Sequence, residues 1–451
     1  MAVVTPFKGL TYNFNRFHDL SPLVTPPYDV ISEEEQEAFY NKNPHNVIRL
    51  ILGKKMKGDT DLDNRYTRSA DLLRKWQKQD ILVRNREPGL YYTSLSYDAE
   101  DGGGPKERWG FIALVRIEEE NSRVILPHEK TFSAHKIDRL NLMRACNAQL
   151  SQVFGLFHDP DFQIFNCFKN IIEQRPLTSF EFEDGTKHKM WMTKDFSIFR
   201  EVSEVMKDKN IFIADGHHRY ETARNYRNLM RARYGGRTKN RSYDFLTMYL
   251  SNMADKGLTI LPAHRLIKRC EGFNPESFFD RIKANFEISE LLSPVSETHQ
   301  LTLEFRQELE AKGRKNPAIG FLSHQGGRGY LLSLKPEAWD RIEEDLHPVL
   351  KRLDVIVLSR LILENGLGFS KEDMDNEQNF HYQSNMNKAI ASINSKDNQM
   401  AFLLNPTKID QVKEIAGNSL IMPRKSTYFY PKVLSGLVFN KIDPYESITV
   451  Y

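Results

Sequence analysis

NIFIADGHHRYETARNYRNLMRARYGG, residues 210–236, changes texture once, and that change sets the fold class. NIFIA (210–214) is an apolar run of strand length, broken by Asp215 and Gly216. HRYETARNYRNLMRARY (218–234) then reads as a helix, and Gly235-Gly236 stands where a C-cap belongs. A strand passing through glycine into a helix is a building block of mixed α/β architecture.

Such a turn also has a chemistry. Backbone N–H groups and the positive end of the helix dipole face whatever sits at the turn, which suits a phosphate. Gly216 permits close backbone approach, and His217, His218 and Arg219 add side-chain donors, the guanidinium being suited to bidentate phosphate contact. Asp215 would repel a phosphate, so its expected role is a magnesium contact, an N-cap or an orienter of one histidine. The plainer alternative is a capped helix whose polar residues only satisfy its own N-terminus.

Working outward, PPYDVIS (26–32) ends in an N-cap, Ser32, followed by Glu33, Glu34 and Glu35 in a first helical turn. NVIRLIL (46–52) reads as a strand and DNRYTRSADLLRKWQKQDILV as a helical stretch. GLYYTSLSYD (89–98) and WGFIALVRIEE form an expected hairpin whose tip contains GGGP (102–105); without a following Lys-Ser/Thr that tip is a turn, not a phosphate loop. RVILPHEKT (123–131) reads as a strand broken at its proline, and FEFEDGTKHKMWMTK as a second hairpin. From about residue 272 the chain becomes more polar and helical, with short strands such as AIGFLSH and YLLSL. The expected division is 1–271, 272–424 and a tail, 425–451, that packs back on the protein.

Composition narrows the function classes. The 451 residues exceed one ordinary core, and 63 basic against 60 acidic residues nearly cancel. That balance, with no convincing recognition helix, argues against a nucleic-acid binder. Cys146, Cys167 and Cys270 are too few and scattered for a disulfide framework, so a reducing cytoplasm is expected. No secretory pattern opens the chain and no apolar run approaches the ~18 residues of a membrane span.

A second constellation is PHEKT (127–131), where a strand ends in His128, Glu129, Lys130 and Thr131. In phosphoryl transfer to a hydroxyl, a carboxylate beside the acceptor orients it or takes its proton while cations stabilise the moving group. His128 and Glu129 with His217 and His218 are also zinc-ligand types, but neighbouring histidines diverge and the H-E-x-x-H spacing is missing. Weaker candidates are Asp138-Arg139, read as a helix cap or substrate contact; His264 and Arg265 in LPAHR (261–265); and Lys432 after Tyr428 and Tyr430.

DGHHRYETA is similar to the phosphate-binding turn of the ParB/sulfiredoxin superfamily, a Gly-x-x-Arg turn after a strand. His217 stands where sulfiredoxin carries its catalytic cysteine, so that redox chemistry does not transfer, and the doubled histidine most resembles the free-serine kinases of the superfamily. Over its whole length the chain resembles a widespread bacterial and archaeal family, a domain of unknown function with a ParB-like label. The marks are PPYDVI, LPHEKT, IADGHHRYETA, LPAHR and KSTYFYPK (425–432), in that order.

The resemblance implies an α/β (mixed α+β) fold, with a ParB/sulfiredoxin-like nucleotide-binding core, large insertions and a second α/β lobe. It implies a nucleotide-dependent phosphotransferase acting on serine or phosphoserine with ADP or ATP and Mg2+, in either direction. Asp215, Gly216, His217, His218 and Arg219 would hold phosphate, with Asp215 also on magnesium. Glu129, His128, His217 and His218 would carry catalysis. Lys130, Thr131, Arg139, His264, Arg265 and Lys432 would contact substrate. A ParB-like nucleotide-gated DNA binder and a phosphatase using the His217-His218 turn are the alternatives. A cytoplasmic location, no membrane or nucleic-acid partner, and an open question of a homodimer complete the expectation.

Overall fold

The computed structural model describes residues 1–99, 104–129, 133–235, 240–342, 346–376, 378–423 and 425–451, without the side chains of 133 and 134. Contacts divide the chain into two units, Met1–Pro127 with Thr131–Thr259 and Pro431–Tyr451, and His128–Lys130 with Ile260–Tyr430. The architecture is mixed α/β.

The first unit carries a nine-stranded sheet: β1 (Val4–Thr5), β2 (Leu90–Asp98), β3 (Pro105–Arg116), β4 (Ile125–Leu126), β5 (Val153–Phe157), β6 (Thr178–Glu181), β7 (Lys187–Thr193), β8 (Ile211–Asp215) and β9 (Phe245–Asn252). The order is β4-β8-β5-β9-β3-β2-β7-β6, with β1 beside β3. Its helices are α1 (Glu33–Lys42), α2 (Ile48–Ile51), α3 (Arg65–Lys78), α4 (Ser133–Cys146), α5 (Gln163–Ile172), α6 (Phe196–Lys207) and α7 (His217–Tyr234). Both expected hairpins form, β2 against β3 and β6 against β7, each antiparallel. Gly102 and Gly103 of the GGGP tip lie outside the described residues, as does Gly236.

One face of this sheet is apolar. Val153, Ile211, Ile213, Met248 and Leu250 pack there with Phe168 of α5, Phe199 and Val202 of α6 and Tyr220 of α7. Strict alternation would send Asp215 to that same face, because Ile211 and Ile213 point into it. It does not go there. The ladder between β8 and β5 runs Phe212↔Leu156, Ile213↔Gly155, then Asp215↔Phe154, so Ala214 is an extra residue. Such a bulge re-aims the next side chain along the strand. Asp215 therefore shares a face with Phe154, whose ring meets Tyr249, away from the apolar core.

One local expectation gives way. NVIRLIL is not a strand but contains α2. Asn46 starts it, its Oδ1 accepting the Ile48 N–H at 2.9 Å while its Nδ2 donates to the Pro22 carbonyl at 2.8 Å. Val47, Ile48, Leu50 and Ile51 are all buried, and an apolar run buried on every side carries no period to read. The strand expected to break at its proline does so: β4 ends before Pro127, a residue with no N–H to donate, and pairs parallel with β8.

The C-terminal segment Pro431–Tyr451 belongs to the first unit. Asn440 and Lys441 pair antiparallel with Gln149 and Ala148, and Phe439 bridges Leu10.

The second unit has a six-stranded antiparallel sheet: β10 (His264–Ile267), β11 (Phe286–Pro294), β12 (Ala318–Ser323), β13 (Arg328–Leu334), β14 (Phe380–Gln383) and β15 (Met400–Leu403), in the order β11-β13-β12-β15-β10-β14. Its core joins Leu301, Phe305, Leu322, Ile390 and Leu403. Among the described residues no helix is long and apolar enough to cross a membrane.

Candidate anion-binding site

The turn after β8 is built around a left-handed glycine. Gly216 has φ 90° and ψ 32° and holds the N-cap position of α7. A Cβ there would fall 2.8 Å from Arg219 Nε, because Arg219 folds back over the turn. Its Nη2 donates to Asp215 Oδ2 at 2.8 Å, and its Nη1 donates to the Gln152 carbonyl.

Lys432 completes the group, its Nζ donating to Asp215 Oδ1 at 3.2 Å. Side-chain exposure is 8% for Arg219, 15% for Asp215 and 14% for Lys432, so the charges are largely removed from water. Burial alone would raise the Asp215 pKa; Lys432 and Arg219 outweigh it and hold the carboxyl well below the usual carboxylate range. One carboxylate is thus shared by two cations. Asp215 is not the N-cap, since Gly216 is.

A second arginine faces the same region. Arg139 lies inside α4, where its Nη1 donates to the Ile51 carbonyl and its Nε to Asp138 Oδ2, each at 2.7 Å. Its guanidinium sits 3.9 Å from the centroid of the Tyr28 ring. Tyr28 is pushed up to about 12 by burial and by Asp29, with Arg139 and then Arg219 pulling the other way. Arg139 and Arg219, with Ser151 and Thr222, line one cavity of about 40 Å³. The capping role expected of Asp138 gives way. It lies within α4 and accepts from Arg65, from Arg139 and from the Tyr66 hydroxyl at 2.6 Å. Its carboxyl is lowered, the cations and the Tyr66 bond outweighing burial.

Of the two histidines, His217 is buried, while the half-buried His218 ring lies 5.1 Å from that of His135.

His128, Glu129, His264 and Arg265 lie in the second unit. His128 is fully buried, its carbonyl accepting the Met422 N–H at 2.8 Å and its Nε2 lying 3.4 Å from Thr427 Oγ1. The same Thr427 hydroxyl donates to Glu129 Oε1 at 3.3 Å, which joins the LPHEKT and KSTYFYPK motifs. His264 is buried and its Nδ1 accepts the Leu404 N–H at 3.1 Å. Arg265 donates to the Ala263 and Lys425 carbonyls at 2.6 and 3.1 Å and stacks 4.4 Å from the Tyr382 centroid. Lys130 and Thr131 lie outside the described residues.

Among the described residues no three His, Cys, Asp or Glu side chains cluster as metal ligands. Magnesium binds through carboxylates and phosphate oxygens, and both Asp215 oxygens already meet cations. That arrangement fits a counter-charge, not a magnesium ligand.

The sequence matches the family described as "Protein of unknown function (DUF1015)" over residues 4–356. The chain belongs to this family. No curated protein matches it. Among solved structures it is similar to a free serine kinase in complex with AMP, at 9% identity and TM-score 0.34, over 70% of this chain and 86% of that one. It is also similar to a conserved hypothetical protein from Pyrococcus furiosus, at 11% identity and TM-score 0.35, over 71% and 92%. A C-terminally truncated SbnI from Staphylococcus aureus is similar at 8% and 0.32, over 72% and 85%.

Sequence reasoning passed over Tyr28, Gln152 and the Arg65–Tyr66 pair. Tyr28 had a signal, lying inside the PPYDVI motif; Gln152 acts through its backbone carbonyl, which no side-chain pattern marks.

Proposed function

We propose that the first unit binds the phosphates of a nucleotide at the turn formed by Asp215, Gly216, His217, His218 and Arg219, and that the chain is a nucleotide-dependent phosphotransferase. The observation that carries this reading is the sharing of Asp215 between Arg219 and Lys432. Two largely buried cations meet one carboxylate beside the start of a helix whose cap, a glycine, contributes no side-chain acceptor. Arg139 adds a further guanidinium on the same cavity. An entering phosphate would compete with Asp215 for these donors, so Asp215 acts as the resident counter-ion.

The substrate class, serine or phosphoserine with ATP or ADP, follows from the resemblance of the DGHHR turn to the free-serine kinases. The same resemblance gives Glu129 the acceptor hydroxyl. The test is to incubate purified protein with ADP and O-phosphoserine, then with ATP and serine, in a magnesium buffer, following nucleotides by ion-exchange chromatography. Exchange that is lost in Arg219→Ala and Glu129→Ala supports the reading. Phosphate release without nucleotide, or salt-sensitive DNA binding with no exchange, overturns it.

A further inference from the structure

A roomier cavity in the first unit lies elsewhere. Arg139 and Arg219 look onto the end of β5 and β9 that holds Val153 and Thr247. At the opposite end of those strands, beside Phe157 and Leu250–Asn252, a cavity of about 330 Å³ opens. An apolar cavity of about 150 Å³ is enough for benzene, so this one has room for a ring with a short arm.

Its walls are aromatic. The Tyr92 and Trp109 rings stack at 5.5 Å and 19°, and Phe165 meets Trp109 edge-on at 5.6 Å. Two carboxylates look in, and their circumstances differ. Asp159 is fully buried and matched, accepting the Ile164 N–H at 2.9 Å and the Lys209 ammonium at 3.3 Å, which also answers the positive end of α5.

Asp255 accepts only backbone N–H groups, from Trp109 at 2.9 Å and Gly257 at 2.8 Å, and no ion pair to it is found among the described residues. Each of its oxygens keeps a lone pair. Burial pushes this carboxyl up, the cost a matching cation would offset. At the rim stands Phe162, 39% exposed with φ 54°, a left-handed conformation rare for a bulky side chain and frequent beside ligand sites.

We propose that this cavity is a binding site for a small aromatic amine, its ring packed among Tyr92, Trp109 and Phe165 and its ammonium on Asp255. Aromatic walls alone would accept any flat apolar molecule. The Asp255 carboxylate, to which no ion pair is found among the described residues, selects a cation.

The test titrates the full chain with phenethylamine, with 2-phenylethanol as its neutral counterpart and with hexylamine as an amine lacking the ring, read by calorimetry and tryptophan emission. Phenethylamine is expected to bind at least tenfold more tightly than either. Asp255→Asn should erase the preference over 2-phenylethanol while leaving the alcohol's affinity in place. Phe165→Trp, which fills the cavity from a half-buried position, should weaken both ring compounds, with thermal melting as the check on folding. Equal affinity for the three probes, a preference surviving Asp255→Asn, or no binding at millimolar concentration overturns the proposal.

Discussion

Lys432 and Asp215 are 217 residues apart in the chain and 3.2 Å apart in space. The contact fixes the C-terminal segment to the turn before α7, and Arg219 holds the other carboxylate oxygen. Replacing Asp215 by asparagine removes the carboxylate that the largely buried Arg219 and Lys432 share. Loss of about 3–5 kcal/mol is expected, the cost of breaking a buried pair from one side, measured by denaturant unfolding.

The same carboxylate has a pH signature. Its folded pKa is depressed, so its contribution is complete above the ordinary aspartate value of about 3.9 and is lost as pH falls through the folded value. The stability gap between the native chain and Asp215→Asn should therefore hold steady near neutrality and narrow in acid below about pH 4. A gap that stays constant down to pH 2 would contradict the pairing.

Three buried histidines act in a higher window. Burial pushes His128 down to about 4, while burial and neighbouring arginines take His188 and His264 down to about 3. In the unfolded chain each titrates near 6.5, so the unfolded state gains protons first as pH drops. Stability should fall from about pH 6.5 toward 4, by roughly 2 kcal/mol per histidine between pH 7 and 5. His188→Gln should flatten its share of that slope in urea titrations at the two pH values.

Gly216→Ala tests the turn. The residue has φ 90°, and the new methyl would press on Arg219 Nε. Backbone strain of about 1–2 kcal/mol is expected, with a larger effect on nucleotide affinity because Arg219 must move. Equilibrium binding of labelled ADP beside thermal melting separates the two.

Arg219→Lys keeps the charge but not the fork that reaches both Asp215 and the Gln152 carbonyl. Under the proposed function, phosphoryl exchange should drop about 100-fold while Arg74→Lys, at an exposed position of α3 paired with Asp71, leaves it near the native rate. Single-turnover exchange assays distinguish them.

Strand, glycine turn and helix at 210–236 were legible because each step has its own local chemistry: an apolar run, a residue tolerant of positive φ, then a long helical stretch. The role of α2 was not, since Ile48, Leu50 and Ile51 are buried on all sides and Asn46 starts the helix through bonds reaching back to Pro22. Arg219 could be picked out from its spacing after Gly216, whereas Gln152, whose carbonyl it meets, and Lys432, which shares Asp215 with it, could not be assigned to the site. Those contacts depend on which strands neighbour one another, and the sequence carries no local mark of that. The aromatic cavity at Trp109 was illegible for the same reason.

Ala214 contributes no charge, no hydrogen-bonding side chain and little bulk, yet it sets the phase of the strand. Asp215 faces outward because β8 contains one residue more than its partner across the bulge. The information lies in a count, not in a letter. Exchange of Ala214 for another small residue should pass almost unnoticed, and its deletion, which would seat the aspartate directly after Ile213 and still opposite Phe154, should remove the bulge while keeping the carboxylate on the face of Arg219 and Lys432.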